Sequence, residues 1–191
     1  MVEQLIDYIK KHTSVNHQEL DIILSKFTFE QYNKGIQLTE ANTDKQKLYF
    51  VCHGCLRIYY INEAGVDATR YFAFENQFAT ALVSLISRKP SEEYIQALEE
   101  TTVYAITHQN FLLLLDEIPS WEKFYRHYLE IAYLNNTDRL YTLSTMDASK
   151  RYEELLNQNP EVVQRLPNKM VASYLNISQE TLSRIKTKIW K

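Results

Sequence analysis

Apolar positions recur along this chain with different periods, and the changes of period mark out its parts. Leu5, Ile6 and Ile9 share one face of Val2 to Lys11, and Leu20, Ile23, Leu24 and Phe27 share one face of Asn16 to Phe27. Both spacings predict short amphipathic helices. From Thr28 to about Thr107 the period shortens to two. The runs 48–51, 56–61, 69–74, 94–98 and 103–106 are rich in β-branched and aromatic residues and have strand length. Gly35, Gly54 and Gly65 fall between such runs, where each is expected to supply the positive φ of a hairpin turn. Short strands and turns at this spacing predict an antiparallel roll or barrel of about 80 residues.

The helical period returns after the roll. His108 to Asp116 reads as a short helix, and Pro119, well suited to a first helical turn, opens a run that lasts to about Thr145. Trp121, Phe124, Tyr125, Tyr128, Ile131, Ala132 and Leu134 recur along it at spacings of three and four, and Leu140, Tyr141 and Leu143 continue less regularly. A helix of this length has a stripe to spare, which a homodimer would use, with Phe124, Tyr128, Ile131 and Asn135 at the seam. The competing arrangement is a monomer with this helix folded back on the roll. Ser144 to Asp147 reads as a hinge, with Asp147 the N-cap of a helix from Ala148 to Asn157. Pro160 and Pro167 then bracket 162–166 as a linker.

The last stretch carries the most specific pattern. Val171, Leu175, Ile177, Leu182 and Ile185 mark two short amphipathic helices, interrupted at Asn176, a residue type that tolerates the left-handed conformation of a tight turn. Ala172 is small enough for a second helix to cross closely, and Ser178 can cap that helix. With Leu182 and Ile185 turned inward, Gln179, Glu180, Ser183 and Arg184 form the outward face. Gln can pair with adenine, Glu can accept from the cytosine amino group, and Arg can fork onto guanine. Ser178, Thr181, Lys169, Lys186 and Lys188 suit phosphates. Small residue, turn former, cap and basic outer face fall in the order that a DNA-reading helix-turn-helix needs. A helical hairpin with solvated lysines is the plain alternative.

Charge sharpens this reading. The chain has a formal net charge of -3, yet from Asn168 onward Lys169, Arg184, Lys186, Lys188 and Lys191 face Glu180 alone. The end of the chain is a basic patch on an acidic molecule, the electrostatic footprint of a partner such as double-stranded DNA. At 191 residues and 45% hydrophobic content, one large and one small domain are expected. No apolar run approaches the length of a membrane span and the start lacks a signal-peptide layout, so a soluble cytoplasmic protein without membrane contact is expected.

Residues 178–184, Ser-Gln-Glu-Thr-Leu-Ser-Arg, resemble the recognition-helix signature of the Crp/Fnr (cyclic AMP receptor protein) family of bacterial transcription regulators, Ser/Thr-x-Glu-Thr-x-x-Arg. Residues 166–175 resemble the same family's preceding helix, and 48–59 resemble a hairpin of its β-roll. The resemblance implies an α+β chain. It would have a cyclic-nucleotide-binding-like, jelly-roll-type effector domain at 1–118, a dimerisation helix and hinge at 119–146, and a winged-helix-like helix-turn-helix domain at 147–191. The implied role is a homodimeric regulator on a palindromic operator, with RNA polymerase and a small-molecule effector as further conceivable partners.

The candidate effector pocket is the mouth of the roll, at Tyr71, Phe72, Phe78, Ala79 and Thr80, with Arg88 and Lys89 nearby. Where nucleotide-binding members carry Gly-Glu, this chain has Ala79-Thr80, and the later segment reads Pro90-Ser91-Glu92-Glu93-Tyr94. Glu92 and Glu93 would repel a cyclic phosphate, so control by cyclic AMP is not expected. For the aromatic residues of the mouth, core packing is the favoured reading. In Cys52-His53-Gly54-Cys55 the second Cys is not followed by His and further Cys ligands are lacking, which argues against c-type haem, an iron-sulfur cluster or zinc. Two reduced, half-buried thiols are the expectation, a redox disulfide the alternative. With no phosphate loop, nucleophile elbow or Cys/His cluster, no catalytic residue, metal or cofactor is expected. A ligand sensor that acts through protein contacts instead of DNA is the rival function.

Overall fold

The computed structural model of the chain describes residues 1–43 and 46–189. The chain divides into two compact units, one of 1–59 with 72–130 and the other of 60–71 with 131–191. This division differs from the expected boundaries at 118 and 146. It cuts the long helix in two and assigns the outer end of a β-hairpin to the C-terminal unit.

The N-terminal unit opens with α1 (Val2–His12) and α2 (His17–Ser25). Asn16 caps α2 in a reciprocal box: its side chain accepts from the Glu19 amide, and the Glu19 carboxylate accepts from the Asn16 amide, each at 2.9 Å. Strands β1 (Thr28–Tyr32), β2 (Gln37–Thr39), β3 (Lys47–His53), β4 (Leu56–Ile61), β5 (Asp67–Ala73) and β6 (Phe78–Ala79) follow. After α3 (Leu82–Ser87) come β7 (Tyr94–Ala97) and β8 (Thr101–Thr107). The strands form two antiparallel four-stranded sheets in the orders β1-β8-β3-β6 and β2-β7-β4-β5, the interleaving of a jelly roll. α4 (His108–Glu117) leaves β8 through the N-cap Thr107.

This topology corrects the expectation at Gly54. β3 pairs with β8 and β6, whereas β4 pairs with β7, so residues 48–59 do not fold as a hairpin. Gly54, at φ +92°, turns the chain from one sheet into the other. Cys52 and Cys55 flank this crossing as buried free thiols, and burial pushes the Cys52 thiol pKa up. Gly35 and Gly65 do have positive φ, as expected.

α5 (Pro119–Thr145) is a single helix with two environments. Its first part closes the core of the N-terminal unit. Trp121 stacks on Phe124 with ring centroids 4.2 Å apart, and Phe124 and Phe50 meet Phe78 at 5.3 and 5.0 Å. His12 of α1 stacks on His127 of α5 at 4.1 Å, and its imidazole pKa is lowered by burial, then by His127 and Lys11. Its surroundings thus favour the neutral form of His12. A group whose folded-state pKa is depressed contributes stability that is full above its unfolded pKa, about 6.5, and is lost as pH falls from there through the lower folded-state pKa. The melting temperature is therefore expected to fall between pH 7.5 and 5.5, and to fall less in His12→Phe. Equal falls in the two proteins would show that the stacked pair is indifferent to protonation.

The C-terminal unit is built on the rest of α5, with α6 (Ala148–Gln158), α7 (Pro160–Arg165), α8 (Asn168–Leu175) and α9 (Gln179–Ile189). Asp147 caps α6 as expected, its carboxylate accepting from the Lys150 amide at 3.0 Å. The segment read as a linker is helical, since Pro160 occupies a first-turn position where its missing N–H costs nothing. Tyr152, Leu155, Val162, Leu166, Val171, Leu175, Leu182 and Ile185 are buried together in this unit. Among the described residues no strand lies between 146 and 189, which corrects the winged part of the expectation.

Candidate nucleic-acid interface

The corner between α8 and α9 is fixed by backbone chemistry. Asn176 adopts φ 53° and ψ 49°, and the Ile177 amide donates back to the Ala172 carbonyl at 3.0 Å while the Asn176 amide reaches Ser173. This closes α8 with a Schellman turn. Ser178 then caps α9, its hydroxyl oxygen accepting from the Thr181 amide at 3.1 Å and meeting the Thr181 hydroxyl at 2.9 Å. Ala172 is buried as its small side chain required.

With Leu182 and Ile185 inward, Gln179, Glu180, Ser183 and Arg184 are all exposed on α9. Arg184 donates to the Glu180 carboxylate at 3.0 Å, with the two side chains 72% and 80% exposed. An ion pair so open to water adds little stability. Lys186 donates to Asn168 Oδ1 at 2.6 Å and so ties α9 to the first turn of α8. Lys169 and Lys188 are exposed, and Ser178 and Thr181 stand at the N-terminus of α9. The structure thus gathers every residue of the expected reading and phosphate sets onto α8, α9 and the turn between them. Lys191 lies outside the described residues.

The C-terminal end of α8 has further partners that the sequence did not suggest. Arg139 of α5 donates to the Tyr174 carbonyl at 2.6 Å and lies over the Tyr174 ring at 4.0 Å, while Arg151 of α6 donates to the Leu175 carbonyl at 3.2 Å. Two guanidinium groups satisfy the open carbonyl end of a helix.

The expected effector residues have different surroundings. Phe72 and Phe78 are buried, Phe78 within the aromatic core, and Ala79 is fully buried. Buried Thr80 donates its hydroxyl to the Lys47 carbonyl at 2.8 Å. Tyr71 belongs to the C-terminal unit. Arg88 and Lys89 instead line a cavity of about 580 Å³ with Lys47, Ser84, His108 and Leu112. Burial, and then Arg88, lower the His108 pKa there. Of the two carboxylates expected to repel a cyclic phosphate, Glu92 is exposed and Glu93 buried. Arg57 is buried in the same unit, a feature that strand periodicity could not reveal.

The residues expected at a dimer seam have two different environments. Phe124 is 0% exposed and Tyr128 packs against the core, so these two positions are committed within their own chain. Ile131 and Asn135 continue that face of α5. The apolar residues left open farther along are Tyr133, Leu134, Leu140 and Tyr141. Among the described residues no group of three or more His, Cys, Asp and Glu side chains could hold a metal ion, and no helix is long and apolar enough to cross a membrane.

Residues 29–117 match the cyclic nucleotide-binding domain family. At the level of sequence, no curated protein matches the chain. Solved structures similar to it include CLP, the c-di-GMP-responsive global regulator of Xanthomonas campestris, with a TM-score of 0.73, 16% identity and 92% of each chain covered. A protein from Eubacterium rectale assigned to the crp/fnr family of transcriptional regulators also has a TM-score of 0.73, with 18% identity over 90% of this chain and 82% of that one. FixK2 from Bradyrhizobium japonicum is similar at a TM-score of 0.71 and 17% identity, over 85% of this chain and 84% of its own. Residues 29–117 therefore form a cyclic nucleotide-binding-type domain, and the chain as a whole has the fold of the Crp/Fnr transcription regulators.

Proposed function

We propose that this chain is a sequence-specific, DNA-binding transcription regulator that acts as a homodimer on a palindromic operator and is not controlled by cyclic AMP. The observation that carries the reading is the capped helix α9, which offers Gln179, Glu180, Ser183 and Arg184 to solvent beside Lys169, Lys186 and Lys188. One short recognition helix reads only a half-site, so two-fold pairing supplies the second. Burial of Phe78, Ala79 and Thr80 supports independence from cyclic AMP, because the residues expected to frame a nucleotide are taken up by the chain's own packing.

Selection of duplexes from a random pool, at near-physiological salt and with no effector added, tests the proposal. A two-fold palindrome with half-sites about one helical turn apart is the expected product. Failure to enrich any duplex, repeated in the presence of cell extract, would favour a sensor that works through protein contacts. On the selected site, Arg184→Ala is expected to cost about 1 to 3 kcal/mol and to relax one base position, whereas Lys188→Ala weakens cognate and random DNA alike. Equal losses on both DNAs for Arg184→Ala would remove it from the base-reading set.

A further inference from the structure

We infer that Ser173, Thr69 and Arg139 are positioning residues for the recognition helix: they clamp α8 to the outer end of the β4–β5 hairpin and so set the direction in which α9 leaves the turn. This rests on the DNA-reading role proposed above.

The clamp is a polar joint. The Ser173 hydroxyl donates its single hydrogen to the Asp67 carbonyl at 2.8 Å. Its oxygen accepts from the Thr69 amide at 3.0 Å and lies 2.8 Å from the Thr69 hydroxyl. A hydroxyl has one hydrogen and two lone pairs, so Thr69 must be the donor of that last bond. The Ser173 side chain thus makes three hydrogen bonds to one hairpin. Arg139 closes the joint from α5, its Nη2 donating both to the Thr69 carbonyl at 2.9 Å and to the Tyr174 carbonyl at 2.6 Å. Thr69 is buried, which raises the cost of leaving these groups without partners.

Directional bonds fix orientation in a way that apolar packing does not. Ser173 lies five positions before the cap of α9, and the intervening Schellman turn at Asn176 is held by its own hydrogen bonds. Whatever fixes α8 therefore fixes α9. Positions 67 and 69 lie on strand β5, whose last residues belong to the N-terminal unit, so the hairpin is covalently continuous with both units. With the clamp closed, the reading face of α9 stays exposed, and the joint preorganises that face instead of blocking it.

Ser173→Ala, the rescue variant Ser173→Thr and the pair Thr69→Cys with Ser173→Cys test this. Hydrogen exchange at the Thr69 amide is read without DNA, and the dissociation constant for the selected palindrome is read well below the melting temperature. Ser173→Ala is expected to speed exchange at Thr69 and to weaken DNA binding on the order of tenfold while remaining folded. Ser173→Thr restores both. The oxidised Cys pair, in which the native Cys52 and Cys55 are buried and do not compete, binds at least as tightly as the wild type. Unchanged affinity in Ser173→Ala overturns the positioning role while the DNA reading stands, and so does an oxidised pair that loses DNA binding and regains it on reduction. A wild-type chain that selects no duplex defeats the DNA reading and the positioning role with it.

Discussion

Gly54→Ala is expected to destabilise the N-terminal unit by about 2 to 5 kcal/mol, from the left-handed backbone cost together with overpacking. At φ +92° an added Cβ would sit 2.5 Å from the Glu100 carbonyl oxygen, 2.6 Å from Thr101 Oγ1 and 2.9 Å from Thr101 Cα. Two of those three atoms belong to backbone, and Thr101 opens β8, which is paired on both sides by β1 and β3. Thr101 cannot step aside without breaking its ladder to β1, and Glu100 is joined directly to it. The Gly54 amide also donates to the Glu75 carboxylate at 2.9 Å, which holds the crossing in place. Gly35 and Gly65 are the internal controls: each has positive φ but nothing within 4 Å of the added carbon. Alanine there should cost only about 1 kcal/mol of backbone strain. Chemical denaturation of the three variants separates the two terms. A loss at Gly54 no larger than that at Gly65 would mean that the crossing relaxes around the methyl group.

The same glycine shows what the sequence could and could not convey. The alternation on either side of it identified β3 and β4 as strands, because period two is a property of each strand alone. It could not tell whether the two strands pair with each other, and they do not. β1, β2 and β6 escaped individual recognition because two to five residues, some on an exposed edge, hold too little alternation to stand out. α7 was hidden by the prolines at its ends, one of which starts it. The corner between α8 and α9 was legible for the opposite reason: its turn, cap and outward face are decided by residues within a few positions of one another. The clamp on α8 was not, since Thr69 and Ser173 are 104 positions apart and neither is unusual in its local context. Likewise the spacing of Phe124, Tyr128, Ile131 and Asn135 identifies a helical face correctly, but only the structure shows that the core has claimed its first half.

In the proposed homodimer, replacing both Leu134 and Tyr141 with Glu is expected to separate the protomers and to weaken binding to the proposed palindromic site about a hundredfold or more, the loss of linking two half-site contacts. Tyr133, Leu134, Leu140 and Tyr141 are 71%, 59%, 67% and 59% exposed within one chain. The positions 134, 137, 141 and 144, with 133 and 140 beside them, follow the three-and-four spacing of a helix seam. At about 100° per residue this stripe lies roughly 150° around α5 from the face of Phe124 and Tyr128, so a partner helix could reach it without disturbing the core. Two carboxylates placed on each side of the seam would oppose the same pair in the partner, and burying them without a counter-charge is costly. Ile131→Glu with Asn135→Glu, on the other face, is the comparison that decides between the two stripes. Sedimentation and binding to the full palindrome and to a single half-site give the readouts. The double variant at 134 and 141 should keep its half-site affinity, because α9 is untouched. If it remains dimeric while the pair at 131 and 135 dissociates, the seam runs along the face of Phe124 and Tyr128 after all; if both remain dimeric, α5 is not the dimer helix.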